Sequence, residues 1–348
     1  MTPKPLLARI VVAASAVAAP LWAQTPLFSD GGAFGGSKVF SEGLNPLGNP
    51  ARTSQAKDGW SFTYLDGRQR AKDNKSILAA ASSPDPATAA AGLAQLAGAP
   101  WALATRAYGI QAIQNSASLA YTRELTNGIL AHPDLAGASS SLDGRRTTVD
   151  RLSIGGGGPV QGSLNLGGAM RIERWTMGQQ DAAYAPPPGA GFGDPEGTLM
   201  TFTGTSVRTL TYAMDLGLVA ELAPGVRVAA TLDQVNPKVL WDVHLKPQLR
   251  AGLQFDLGQL AKRSLEGDLN ATEQMPFPVK QKTAGASLRL VVGPATVFLV
   301  GAEQRKIGDS STTRAGATLQ IRMTSLQLSV GFQAGQDRPM MGGTLVFN

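Results

Sequence analysis

The constraint that bears hardest on this chain is a two-residue alternation of apolar and polar side chains, joined by short turns. From Arg314 to Met323, Ala315, Ala317, Leu319, Ile321 and Met323 are apolar, while Arg314, Gly316, Thr318, Gln320 and Arg322 are not. Thr324 and Ser325 intervene, and Leu326, Leu328, Val330 and Phe332 then alternate with Gln327, Ser329, Gly331 and Gln333. Successive strand side chains point to opposite faces of a sheet, so this pattern predicts a hairpin with one apolar and one wet face. A water-soluble sandwich alternates in the same way, and the compartment has to separate the two.

Residues 1–23 carry the marks of a secretory signal. Lys4 and Arg9 form a basic start, Ile10 to Leu21 is apolar and Ala-rich, and Ala23 is a small residue before a cut. Twelve apolar residues are too few for a membrane-spanning helix, which needs about twenty. The expectation is export, with 1–23 removed and 24–348 as the mature unit. No other stretch approaches eighteen unbroken apolar residues, which excludes a helical inner-membrane protein. The chain has no cysteine, so disulfides and thiolate metal sites are excluded.

Strand length then favours a membrane barrel over a sandwich. Between Thr209 and Leu222, Leu210, Tyr212, Met214, Leu216, Leu218, Ala220 and Leu222 oppose Thr209, Thr211, Asp215, Gly217 and Glu221. A soluble strand averages about five or six residues, while a tilted membrane strand needs about nine to eleven. Charged residues make up 16%, below the roughly 25% of soluble domains, and Gly numbers 41. Both suit a wall whose outer face must stay uncharged, although aromatics at 6% imply thin interfacial girdles.

Further strands are predicted at Trp60 to Tyr64, near Leu119 and Tyr121, at Thr147 to Ile154 after a polar loop through Arg145, and at Leu164 to Ile172. Others follow at Val226 to Leu232, Ala251 to Leu257, Leu265 to Ala271, Ala284 to Val292, Ala295 to Arg305 and Thr344 to Phe347. The fold class is therefore all-β, a transmembrane antiparallel β-barrel of about 12–14 strands. Asp73 to about Trp101 breaks the pattern. Asp85-Pro86 and the alanines after it predict a short Ala-rich helical insertion over about 84–98, ended by Gly98 and Pro100. Asn45-Pro46 and Asn49-Pro50 predict tight turns, and Tyr184 to Pro195 a long Pro- and Gly-rich loop.

Enzymatic motifs were sought along the chain. Only His132 and His244 occur, without an acidic neighbour pattern for a metal, and both read as solvated loop or strand-end residues. Gly155 to Gly158 lacks the Lys-Ser/Thr of a phosphate loop and reads as a tight turn, and no Gly-x-Ser-x-Gly elbow occurs. No catalytic residue, metal or cofactor is expected. The net charge is +6 for the whole chain, or +4 once Lys4 and Arg9 are set aside. Its bases, such as Arg227, Arg250, Arg289, Arg314 and Arg322, are spread over different strands, which speaks against nucleic acid as a partner. The candidate lumen-facing polar residues are Arg171, Glu173, Asp215, Glu221, Arg250, Asp256, Arg314 and Arg322, with charge balance as the plainest role and ligand selectivity as the functional one.

Asn49-Pro50-Ala51, the aromatic strand after it and the Ala-rich insertion resemble the FadL/PorV-like outer-membrane barrels. Leu245 to Gly252, Gly267 to Asn270, Gly301 to Glu303 and Thr313 to Gly316 are similar most closely to their plasmid-transfer TraF-type branch. The resemblance implies a Gram-negative outer-membrane barrel without enzymatic activity, in contact with outer-membrane lipid. Its role would be passage of small apolar molecules, or service as an accessory barrel to secretion or conjugal-transfer proteins. The alternatives from the residues alone are an exported soluble all-β binding protein, perhaps of two sandwiches, and an outer-membrane hydrolase built around His132 or His244.

Overall fold

The computed structural model describes residues 37–40, 48–55, 58–66, 101–132, 140–184, 206–275, 277–293, 295–307, 310–322, 326–335 and 340–347, with isolated positions between 83 and 91. The strands are β1 (Gly59–Asp66), β2 (Trp101–Gln114), β3 (Ala117–His132), β4 (Ser140–Gln161), β5 (Leu164–Tyr184) and β6 (Ser206–Ala223). They continue as β7 (Val226–Asp233), β8 (Lys238–Leu240), β9 (Val243–Leu245), β10 (Gln248–Asp256), β11 (Ala261–Asp268) and β12 (Thr272–Gln274). The series ends with β13 (Phe277–Gly293), β14 (Thr296–Ile307), β15 (Ser310–Arg322), β16 (Leu326–Gly335) and β17 (Met340–Phe347).

Fourteen of these form one closed antiparallel wall. Neighbours in sequence pair around it, β7 pairs β10, β11 pairs β13, and β1 pairs β17 to close the ring. Closure leaves no free sheet edge, the condition for crossing hydrocarbon with strands. The 12–14 strands and the barrel read from the alternation are thus present, in one ring rather than two stacked sheets. Leu210, Leu216 and Leu319 are 72%, 46% and 42% exposed on the outside, where a sandwich would have interred them. On β6, Leu210 to Leu222 covers twelve steps of about 3.4 Å, or about 29 Å along the barrel axis at a tilt of about 45°, matching a hydrocarbon core of about 30 Å.

The connections β2–β3, β4–β5, β6–β7, β10–β11, β13–β14 and β15–β16, each of four residues or fewer, lie at one end, while β14 and β15 are joined by two residues at the other. Asn115 and Ser116 take positive φ (50° and 69°) between β2 and β3, as do Gly162 between β4 and β5 and Gly225 between β6 and β7. The other end carries the longer connections, among them the β8–β9 hairpin between β7 and β10.

The sequence reading differs from the structure in several places. Trp101–Gln114 is a strand that the Ala-rich composition hid, and β4 begins at Ser140, so Arg145 lies in a strand and not in a polar loop. Gly155–Gly158 is no turn either, since β4 runs through it to Gln161. Of the predicted helix, Ala87, Thr88 and Ala91 are helical, and Asp85 accepts a hydrogen bond from the Thr88 N–H at 3.0 Å, as an N-cap does. The rest of 84–98, the signal segment 1–23 and the loop after Tyr184 lie outside the described residues.

Candidate functional site

The inner face of the wall is unusually polar and is filled in three tiers. At the short-turn end sits the N-terminal segment. Asn49 caps a 3-10 helix (Pro50–Gln55): its Oδ1 accepts from the Ala51 N–H at 3.0 Å, and Pro50 takes the first helical position, where no N–H is needed. The Asn49 amide nitrogen donates to the carbonyls of Val39 (3.1 Å), Leu218 (3.1 Å) and Ala230 (3.4 Å). This knuckle rests on three glycines that are direct cross-strand neighbours, Gly157, Gly167 and Gly217. A Cβ would fall 2.4 Å from the Pro50 carbonyl oxygen at Gly157, 2.4 Å from the Ala51 nitrogen at Gly167 and 2.0 Å from the Asn49 Oδ1 at Gly217. The glycines are there because backbone must approach backbone.

Residues 37–40 continue the plug along the inner face of the neighbouring strands β6, β7, β10 and β11. The Glu266 carboxylate of β11 accepts from the backbone N–H groups of Lys38 (3.0 Å) and Val39 (3.2 Å) and from the Ser37 hydroxyl. The Lys38 ammonium pairs with Asp233, and Val39, Phe40 and Ala51 pack with Val219 and Ala229.

The middle tier is a charge network centred on Glu173. It pairs with Arg151 (3.2 Å), Arg171 (3.6 Å) and Lys238, and accepts from the Trp175 indole at 3.1 Å. Arg151 also pairs with Glu124 at 2.9 Å and Arg171 with Asp215 at 3.0 Å. A second centre joins Arg250 to Asp268 (2.8 Å) and Glu266 (3.3 Å). Charges as deeply interred as these persist because each has a partner at hydrogen-bond distance.

The upper tier is the β8–β9 hairpin, folded inward. Leu240, Val243 and Leu245 pack on Val149, Trp175 and Met177 of the β4–β5 inner face, with Trp241 and Met275 alongside. At its tip, Asp242 accepts two hydrogen bonds from Arg145, at 2.5 and 2.9 Å. The Arg145 guanidinium also lies 5.7 Å from the Trp241 ring and 5.2 Å from the Phe277 ring. Although its burial opposes ionisation, the hydrogen bonds and positive charge of Arg145 hold the Asp242 carboxyl below its ordinary value.

Of the residues named from the sequence, Arg171, Glu173, Asp215 and Arg250 belong to these networks, and Arg314 is buried directly opposite Glu303 on β14. Glu221 and Asp256 sit apart, at the short-turn end, where Arg227 approaches them at 4.0 and 3.5 Å. The side chains of Arg322 and His132 lie outside the described residues. His244 is on β9, exposed, and its backbone N–H donates to Glu273 at 2.7 Å. The sequence reading missed the glycine bed and the hairpin; the spaced glycines on three consecutive strands were the available signal for the first.

No protein-family model and no curated protein matches the chain. Among solved structures, the fold is similar to the Pseudomonas putida toluene transporter TodX (TM-score 0.53, 10% identity, covering 94% of this chain and 99% of that one). It is similar also to the CymD monoaromatic hydrocarbon channel (TM-score 0.54, 10% identity, 90% and 94% covered). A Pseudomonas aeruginosa FadL homologue aligns over 95% of this chain and 99% of its own, with a TM-score of 0.51 and 10% identity. At such identities the likeness is one of fold: a closed barrel of the kind found in outer-membrane hydrocarbon transporters.

Proposed function

We propose that this chain is a non-enzymatic outer-membrane barrel that admits small apolar molecules, with its short turns in the periplasm and its longer connections outside. Residues 1–23 direct export in this reading, and N-terminal sequencing of the mature protein tests that. The observation that carries the substrate class is the apolar cluster of Trp175, Met177, Leu240, Val243 and Leu245 that joins the inward hairpin to the wall above the charge networks. The cluster is buried where the hairpin meets the wall, so an apolar molecule passing between hairpin and wall would meet these side chains, which a water-filled pore does not require. The proteins of like fold named for toluene and monoaromatic hydrocarbons support the same class. The lumen charges flank the path and hold plug and hairpin in place.

The test is a toluene titration of the purified barrel in detergent, followed by tryptophan fluorescence. A saturable change that disappears in Val243→Asp supports the reading. A linear, non-saturating change of equal size in both proteins overturns it. An accessory role beside secretion or conjugal-transfer proteins draws only on the short motif series between Leu245 and Gly316, and predicts that such proteins co-purify with the barrel.

A further inference from the structure

The outward faces of β2 to β6 bring together basic residues that look isolated along the chain. Tyr108, Arg123, Asp150, Arg174 and Leu210 are direct cross-strand neighbours in one row. One row further toward the long connections, Arg106 and Arg208 occupy the two ends, and Arg146 lies a row beyond. On the opposite side of that row come Leu152, Ile172 and Tyr212, exposed members of the apolar belt. An arginine facing hydrocarbon costs about 2–4 kcal/mol at the midplane and about 0–1 kcal/mol near the interface. Five arginines on adjacent strands therefore mark where the hydrocarbon ends, at the level of Leu210.

Asp150 organises the centre of this patch. It accepts from the Tyr121 hydroxyl at 2.7 Å and from Arg174 at 2.8 and 3.2 Å, and Arg123 approaches it at 3.6 Å. Asp150 engages only part of each guanidinium, and the Arg123 and Arg174 side chains are 46% and 62% exposed. Among the described residues, Asp66, across from Arg106, is the other carboxylate beside these arginines. The patch is thus net positive, offers planar forks suited to phosphate, and is continuous with a surface made for acyl chains.

We propose that this patch binds a phosphorylated glycolipid of the outer leaflet, its acyl chains against Leu152 and Ile172 and its phosphates on Arg106, Arg123, Arg146, Arg174 and Arg208. The amphiphilic setting favours such a lipid over a soluble anion or an acidic protein. The inference rests on the outer-membrane reading above, with the long connections outside.

The test uses the full mature chain in detergent, titrated with bisphosphorylated lipid A, dephosphorylated lipid A, phosphatidylglycerol, inorganic phosphate and single-stranded DNA while Tm is followed. Bisphosphorylated lipid A raises Tm saturably and the other four do not. Arg106→Gln with Arg208→Gln, which leaves the Asp150 cluster intact, weakens the apparent affinity about 25-fold, from about fivefold per basic residue at an anionic surface. No response to lipid A, an equal response to phosphatidylglycerol or inorganic phosphate, a stronger one to DNA, or an unchanged affinity in the double variant overturns the proposal. Heat-modifiable migration of the same samples separates the two readings. If it is retained while lipid A has no effect, the lipid site alone fails; if it is absent, the membrane barrel fails.

Discussion

Gly217 on β6 and Asn49 of the plug are in such close contact that a single added carbon on the glycine would lie 2.0 Å from the asparagine Oδ1. Gly217→Ala must therefore push the knuckle off its bed or bend the wall. Overpacking of this kind costs about 1–3 kcal/mol. The expected outcome is a lower urea midpoint together with a higher resting conductance in planar bilayers. Gly158→Ala, where nothing lies within 4 Å, serves as the control and leaves conductance unchanged.

Glu173 is the single carboxylate shared by Arg151, Arg171 and Lys238. Its replacement by Ala takes the carboxylate from Lys238 and leaves Arg151 and Arg171 with Glu124 and Asp215 alone, at a cost of about 3–5 kcal/mol. Glu173→Gln keeps the shape and part of the hydrogen bonding and loses less. Reversal potentials in salt gradients should move toward anion preference for both variants, and an unmoved potential would separate the permeation path from this network.

The hairpin latch has a pH dependence of definite sign. Asp242 ionises more readily when docked than when free, so its contribution is fully present above the ordinary carboxylate value near 3.8 and is lost as pH falls through the lower docked value. Protection factors for hydrogen exchange of residues 238–245, taken against the intrinsic rate at each pH, should be high at pH 6 and fall below about pH 4. In Asp242→Asn they should be low at both.

The belt itself can be mapped by charge. Leu216→Arg, well within the apolar span of β6, should lower folding stability in lipid vesicles by about 2–4 kcal/mol, whereas Leu210→Arg, at its edge, should lower it by about 0–1 kcal/mol. Equal penalties at the two positions would contradict the placement of the hydrocarbon edge at Leu210.

What could be read from the sequence followed the strength of local contrast. β6 and β15 alternate Leu, Ile and Met with polar residues, so their faces and their place in a wall were plain. The same two-residue step puts Arg171 and Glu173 on one face, and they lie 3.6 Å apart. β2 was lost because Ala102, Ala104, Ala107 and Ala112 carry little hydropathy contrast on either face. Gly155–Gly158 reads as a turn because a glycine run signals one locally, whereas the backbone of Pro50 and Ala51 that Gly157 accommodates comes from a distant part of the chain. The strands of the inward hairpin, Lys238–Leu240 and Val243–Leu245, are three residues each, too short for any period to show. The exterior arginines escaped notice for a related reason: spread over five strands, they meet only when the register is known.

The clamp of Glu266 on Ser37, Lys38 and Val39 spans more than two hundred residues of chain, 229 in the case of Ser37. Residues 37–39 can therefore be clamped only once β11, far along the chain, has joined the ring. A barrel lacking β11 would be without the carboxylate that holds residues 37–39 in place.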